Sequence, residues 1–251
     1  MISAGYDAEL RRHQEVLRRA WGIGARDHVL DLGCGAGLTT REAARAASAG
    51  SALGVDISAP AIERARELAR AEGVPNVSFA CADVQEHDFG AGRFDVAISR
   101  FGTMFFGDPA AAFAGVGRAL RPGGRLVMLV WQDGALNEWH VVIRRALGEP
   151  PVAGRGAFSL GDRAGVTAML SGAGFEGVAF ADVDEPLYYG PDVAAALDWV
   201  RNFAPAAAGT AELRETMLAH TTDDGVWLGS RAWLVTARKG QRPAARIDTV
   251  E

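Results

Sequence analysis

A short apolar run closed by three alternating glycines, Val29-Leu30-Asp31-Leu32-Gly33-Cys34-Gly35-Ala36-Gly37, constrains this chain more than any other segment. Residues of buried-strand character run straight into a turn that glycine tolerates best, and a helical pattern opens at Leu38. Strand, glycine turn and helix in that order begin a βαβ unit, and the helix start leaves backbone N–H groups free. The rest of the chain repeats the alternation. Apolar runs at 28–32, 52–56, 77–81, 94–99 and 125–131 are separated by helical patterns, and two more follow at 177–183 and 233–238. Their continuous hydrophobicity, as in LVMLVW, suits strands covered on both faces. The expectation is an α/β fold built on a doubly wound sheet.

The connecting helices carry their own ends. Ser58 caps a helix with Pro60 in its first turn, Ile62, Ala65, Leu68 and Ala69 on the sheet side, and Gly73 as its stop. Its wet face pairs Glu63 with Arg66 and Glu67 with Arg70. A second helix opens at Asp108-Pro109 and ends at Arg121-Pro122-Gly123-Gly124; a third runs from Asp162 to Gly174. Two stretches break the alternation. Residues 132–160 hold Trp139 and His140, and 186–230 hold two helical patterns broken at Pro205. The division expected is an N-terminal helical lid at 1–24, a core at 25–185 and 231–239, a helical cap inserted at 186–230, and a flexible tail at 240–251.

Acidic residues close three successive strands: Asp31, Asp56 in Leu53-Gly54-Val55-Asp56-Ile57, and Asp83 in Cys81-Ala82-Asp83-Val84. In a doubly wound fold all three reach the edge where ligands bind. Asp56 would lie beside the glycine turn and accept ribose hydroxyls, and Asp83 would accept from an adenine amino group. Either aspartate alone also reads as a helix cap. A dinucleotide fingerprint needs GxGxxG; here Leu38 stands where its last glycine would fall, so NAD is the lesser alternative.

Taken together, VLDLGCGAG, GVDIS, CADV, FDVAISRFGTMFF and LRPGGRLVMLVW resemble the class I S-adenosylmethionine-dependent methyltransferase family over about residues 25–131, extended by the closing WLVTAR. The resemblance implies a Rossmann-like sheet of seven strands, the last antiparallel, with a small helical cap. It implies that Asp31, Gly33, Cys34 and Gly35 hold the methionine part of S-adenosyl-L-methionine. Asp56 would bind the ribose, Ile57 would pack on the adenine, and Ala82, Asp83 and Val84 would meet its edge. Ser99 would offer its carbonyl near the cofactor amino group, and S-adenosyl-L-homocysteine would be the product. Arg100 and Phe101 would face the acceptor, and Phe101, Trp131 and Tyr188 supply aromatic faces for its pocket.

Methyl transfer from a sulfonium is an in-line displacement that alignment and water exclusion can carry, so no triad is demanded. His140 is the candidate base. Five scattered histidines without HxxxH or HxH spacing indicate no metal site. Cys34 reads as a small turn residue and Cys81 as strand core. The net charge of −5 argues against nucleic acid as partner, and the basic residues among Arg11, Arg12, Arg18, Arg19 and Arg26 read as a solvated helix face. No apolar run reaches the ~18 residues that span a bilayer, and the start lacks a secretory h-region, so a cytoplasmic protein is expected. The reaction read from the chain is methyl transfer to O, N or C of a small-molecule metabolite by a monomer or homodimer. A same-fold enzyme with other cofactor chemistry and a non-catalytic binding protein are the alternatives.

Overall fold

The computed structural model describes residues 2–241. Helices α1 (Ile2–Glu9) and α2 (Arg11–Ala20) precede strand β1 (His28–Leu32). Then α3 (Leu38–Ala46), β2 (Ser51–Asp56), α4 (Ala59–Ala71), β3 (Val77–Cys81) and β4 (Phe94–Arg100) alternate, followed by α5 (Pro109–Ala119) and β5 (Leu120–Trp131). Beyond them come α6 (Glu138–Ala146), α7 (Arg163–Gly172) and β6 (Phe175–Asp184). The strands β7 (Leu187–Gly190), β8 (Thr221–Thr222) and β9 (Gly225–Leu228) enclose α8 (Val193–Arg201), α9 (Pro205–Ala208) and α10 (Ala211–Ala219), and β10 (Arg231–Lys239) closes the described chain.

Seven strands form one sheet in the order β3-β2-β1-β4-β5-β10-β6. The pairs from β3 to β5 are parallel, and β10 runs antiparallel to both β5 and β6. The strand order reverses between β1 and β4, which places the carboxyl ends of β1, β2 and β4 around one crevice. Leu30, Leu32, Val96, Ile98, Leu126, Met128 and Leu129 are buried in its central strands, as strands covered on both faces require.

Local chemistry sets the helix starts. Ser58 Oγ accepts from the Ala61 amide, Asp108 from that of Ala111 (2.9 Å), and Asp162 from those of Ala164 and Gly165. The helix opening at Asp108 stops at Ala119, earlier than its Pro-Gly-Gly signal. Leu120 already pairs with Phe94, the register shifts, and Arg125 pairs with Val96, so Arg121–Gly124 bulge within β5. On α4 the pair Glu63–Arg66 forms, but Glu67 takes Arg64 at 3.1 Å instead of Arg70.

The segment 186–230 is not purely helical. It contains a second sheet, β7-β9-β8, missed because its strands are two to four residues long and interrupted by glycine. Helix α2 buries His13, Gln14 and Leu17. Its basic face is only partly solvated: Arg11 lies 3.9 Å from the Tyr188 ring centroid, and Arg12 lies 4.4 Å from that of Trp227. Of the tail expected at 240–251, Gly240 donates to the Gly174 carbonyl, and 242–251 lie outside the described residues. Among the described residues no helix is long and apolar enough to cross a membrane.

Candidate active site

A cavity of about 1040 Å³ opens over the carboxyl ends of β1, β2, β3 and β4. Its size is that of a site for a small organic ligand with room for a second. Asp31, Gly33, Cys34, Gly35, Asp56, Ile57, Ala82, Asp83 and Val84 line one half, and Arg100, Phe101 and Trp131 line the other.

The three glycines of the turn have three different physical reasons. A Cβ on Gly33 would sit 2.7 Å from Gly102 Cα, so the loops after β1 and β4 touch backbone to backbone. A Cβ on Gly37 would strike the Phe79 ring at 2.5 Å, so that glycine seats α3 against β3 and α4. Gly35, with φ +53°, faces open space and meets nothing within 4 Å. It alone is kept bare by backbone conformation with free volume above it. Four of the loop amides are already satisfied: Gly33 and Cys34 donate to Val55 O, Gly35 to Asp56 Oδ2 (2.8 Å) and Gly37 to Cys34 O.

The three carboxylates differ. Asp31 is fully buried; Oδ2 accepts from Thr40 Oγ1 (2.6 Å), and Oδ1 has no partner among the described residues. Burial pushes its carboxyl up to about 7, against the pull of Thr40 and Arg100 and with the help of Asp56. Asp56 is half-buried and braces the loop, with Oδ1 accepting from the Ser58 amide and Oδ2 from Gly35. Asp83 accepts from the Gln85 amide and from its side chain, which hold its carboxyl below the usual carboxylate range. Ile57, 74% exposed, projects as an apolar shelf between Asp56 and Ser58. Nothing in the sequence marked Gln85, which joins the rim because the turn after β3 folds it onto Asp83.

The other half is aromatic. Phe101 stacks on Trp131 with centroids 3.8 Å apart and planes 16° from parallel. It does so at φ +59°, a left-handed conformation costly for a bulky residue and here held between β4 and the contact of Gly102 with Gly33. Met104, Phe105, Phe106, Trp139, Leu187 and Phe203 continue the wall. Tyr6, Asp7, Glu9 and Leu10 of the N-terminal helices close it, Asp7 through an ion pair with Arg100 and Tyr6 edge-on to Trp199 at 5.0 Å. The sequence expectation placed a lid there without naming these side chains.

Three expected site residues lie elsewhere. Ser99 is buried below the cavity; its hydroxyl donates to Leu32 O (2.8 Å) and ties β4 to β1. Tyr188 packs beneath Arg11 and against Trp227, outside the cavity wall, because alternation along β7 turns Leu187 and Tyr189 inward instead. His140 is a packing residue: Nε2 accepts the Val152 amide (3.0 Å), its ring meets Phe158 edge-on, and burial beside Arg144 lowers its pKa. It does not line the cavity. Cys81 is exposed rather than core, since β3 is the sheet's edge strand, and its thiol faces Ile57 O. Among the described residues no group of three or more His, Cys, Asp or Glu is placed to hold a metal ion.

Residues 29–124 match the family model of a methyltransferase domain. This stretch resembles a methyltransferase domain. Over 101 residues the chain is 35% identical to the aklanonic acid methyltransferase DauC of a Streptomyces species, a match covering 40% of this chain and 46% of that protein. The chain also matches other curated relatives, and across five of them it spans 29% to 46% of their length. In fold it is similar to the YcgJ protein of Bacillus subtilis (TM-score 0.65, 21% identity, 92% of this chain and 100% of that one). It is also similar to phosphoethanolamine N-methyltransferase 2 of Haemonchus contortus, solved with S-adenosylhomocysteine (TM-score 0.61, 18% identity, 92% of this chain and 53% of that one).

Proposed function

We propose that this chain binds S-adenosyl-L-methionine along the rim formed by Asp31, Gly35, Asp56 and Asp83 and transfers its methyl group to a small-molecule metabolite. One observation carries the reading: an orphaned buried carboxylate oxygen on Asp31 and an open backbone above Gly35 lie in the same cavity as two further carboxylates. Asp31 Oδ1 offers an acceptor that an ammonium group would satisfy, directly or through water. Asp56 keeps lone pairs for the ribose hydroxyls after its two backbone bonds, since each carboxylate oxygen accepts more than once. Ile57 and Val84 supply apolar faces for the adenine, and Asp83, freed from Gln85, an acceptor for its amino group. A pyrophosphate fits poorly here, because the amides of Gly33, Cys34, Gly35 and Gly37 are bonded to Val55, Asp56 and Cys34, and the carboxylates of Asp31 and Asp56 would repel it.

When bound, the cofactor supplies a methyl group already activated on a sulfonium. The protein aligns the acceptor and keeps water out: Phe101, Trp131 and Met104 make an apolar floor, and α1 shields it. Aromatic faces favour a cationic methyl centre nearby. A relative named for aklanonic acid supports a small organic acceptor. The net charge of −5 favours a small-molecule acceptor over nucleic acid. Titration calorimetry with S-adenosylhomocysteine tests the cofactor, and acceptor mass tests the reaction. A gain of one methylene unit is expected; tight cofactor binding with no acceptor modified across a broad metabolite panel would reject methyl transfer.

A further inference from the structure

Resting on that reading of the cavity, we propose that Glu9 is the general base of the acceptor half, taking the proton of a phenolic or enolic hydroxyl on a flat, apolar acceptor. Glu9 is 7% exposed on the last turn of α1, yet it lines the cavity, and its side chain takes part in none of the ion pairs formed among the described residues. Such a carboxyl, withdrawn from water and without an ion-pair partner, is met only by the Trp199 indole and the field of Arg100. The groups that face it are few. Tyr6 shares its helix, Tyr189 faces it from β7, the Trp199 indole lies beside it from α8, and Arg100 acts from the end of β4. Asp7, on the same helix, occupies one end of the Arg100 guanidinium, and Nη1 at the other end is unpartnered among the described residues.

Burial pushes the Glu9 carboxyl up to about 7, with Trp199 and Arg100 pulling the other way. A base is most effective when its pKa lies near the working pH. His13, the nearby histidine, is unsuited: burial and Arg100 hold its pKa near 3. Ser230 Oγ donates to Glu185 O (2.6 Å), so the proton between Ser230 and His13 must come from His13 Nε2. The acceptor's shape follows from the wall, where Phe101 stacked on Trp131 presents a flat apolar surface and Phe105, 67% exposed, stands over the opening. In the step itself the acceptor O–H bond breaks and its proton passes to a Glu9 carboxylate oxygen. The freed oxygen pair bonds to the methyl carbon, whose bond to sulfur breaks with the pair returning to sulfur. Arg100 offsets the charge on the acceptor oxygen, and Glu9 releases the proton to solvent as product leaves.

The test uses the full chain loaded with S-adenosylhomocysteine and 2-naphthol as probe, since this phenol emits at different wavelengths when protonated and deprotonated. Bound 2-naphthol should emit as naphtholate in the wild type, the band growing as pH rises through about 7. Glu9→Gln should bind S-adenosylhomocysteine and 2-naphthol as the wild type does but emit as neutral naphthol. With methyl donor present, its kcat for 2-naphthol should fall about 100-fold with KM little changed, and Glu9→Asp should recover part of it. Naphtholate emission and kcat retained in Glu9→Gln would overturn the base. Failure of 2-naphthol to bind the loaded wild type would overturn the acceptor class. If the wild type failed to bind S-adenosylhomocysteine, the cofactor reading would fall instead, and the emission measured without it would still decide Glu9.

Discussion

The two halves of the cavity are built in different ways. The rim beneath the glycine turn is assembled from strand ends that follow one another along the chain, and backbone hydrogen bonds brace it: Asp56 to Gly35 and Ser58, Gly33 and Cys34 to Val55. The acceptor half is gathered from α1, the end of β4, β5, β7 and the loop at Phe203, and side chains hold it together. Asp7 with Arg100, Tyr6 with Trp199 and Phe101 with Trp131 are its fasteners. A rim made of backbone keeps one shape, so it suits an invariant ligand. A wall made of side chains from separate elements changes by single substitutions, so it suits a variable one.

The difference can be broken from either side. Asp56→Ala should act most strongly on the rim, removing acceptors for two hydroxyls and the brace of Gly35. Calorimetry should show S-adenosylhomocysteine binding weaker by about 4 kcal/mol, roughly three orders of magnitude, with 2-naphthol affinity unchanged. Gly33→Ala and Gly35→Ala separate architecture from ligand contact within one loop. Gly33→Ala drives a Cβ against Gly102 and should lose about 2–4 kcal/mol of unfolding free energy. Gly35→Ala should lose only the ~1–2 kcal/mol of its left-handed backbone and show its larger effect in cofactor affinity.

Asp31 couples the rim to pH. Its folded pKa, about 7, lies above the unfolded value, so its contribution to stability is fully present below pH 4 and is lost as pH rises through 7. Asp31→Asn should therefore flatten the decline in Tm between pH 4 and 8, and in the wild type cofactor affinity should rise over the upper part of that range as the carboxylate ionises. A pH profile of Tm identical in the two proteins would contradict the buried ionisation.

Smaller effects belong to the other wall. A Cβ on Gly5 would lie 2.1 Å from the Trp199 ring, so Gly5→Ala should shift α1 at a cost of about 1–2 kcal/mol. It should weaken 2-naphthol binding and leave S-adenosylhomocysteine binding as it was. Least of all, Tyr188→Ala should cost about 1 kcal/mol of stability through its contacts with Arg11 and Trp227 and leave the proposed turnover at the wild-type rate. A loss of turnover there would mean that the cavity reaches further than its walls indicate.

How much of this was legible in the chain follows the same division. Strand β1, the glycine turn and the carboxylates at 31, 56 and 83 could be read because each is local: a turn residue or a charge that directly follows or closes a short apolar run. Tyr188 and His140 misled for a common reason. An aromatic residue or histidine near a cavity in sequence can point either way, and only the pleat of β7 or the seating of α6 chooses. Glu9 gave no signal, since a glutamate at the end of a short helix, just before an arginine-rich one, looks solvated until β7 and α8 cover it.

From the amino-acid order alone came the alternating strands and helices, the position of the turn and the acidic edge, because hydrophobic period and glycine conformation act over a few residues. Only the folded chain decided which glycine faces free space, which carboxyls lose their water, and which aromatic rings close the second half. Those outcomes depend on contacts between segments as far apart as α1 and β4, and on the desolvation such contacts impose, which no local pattern encodes.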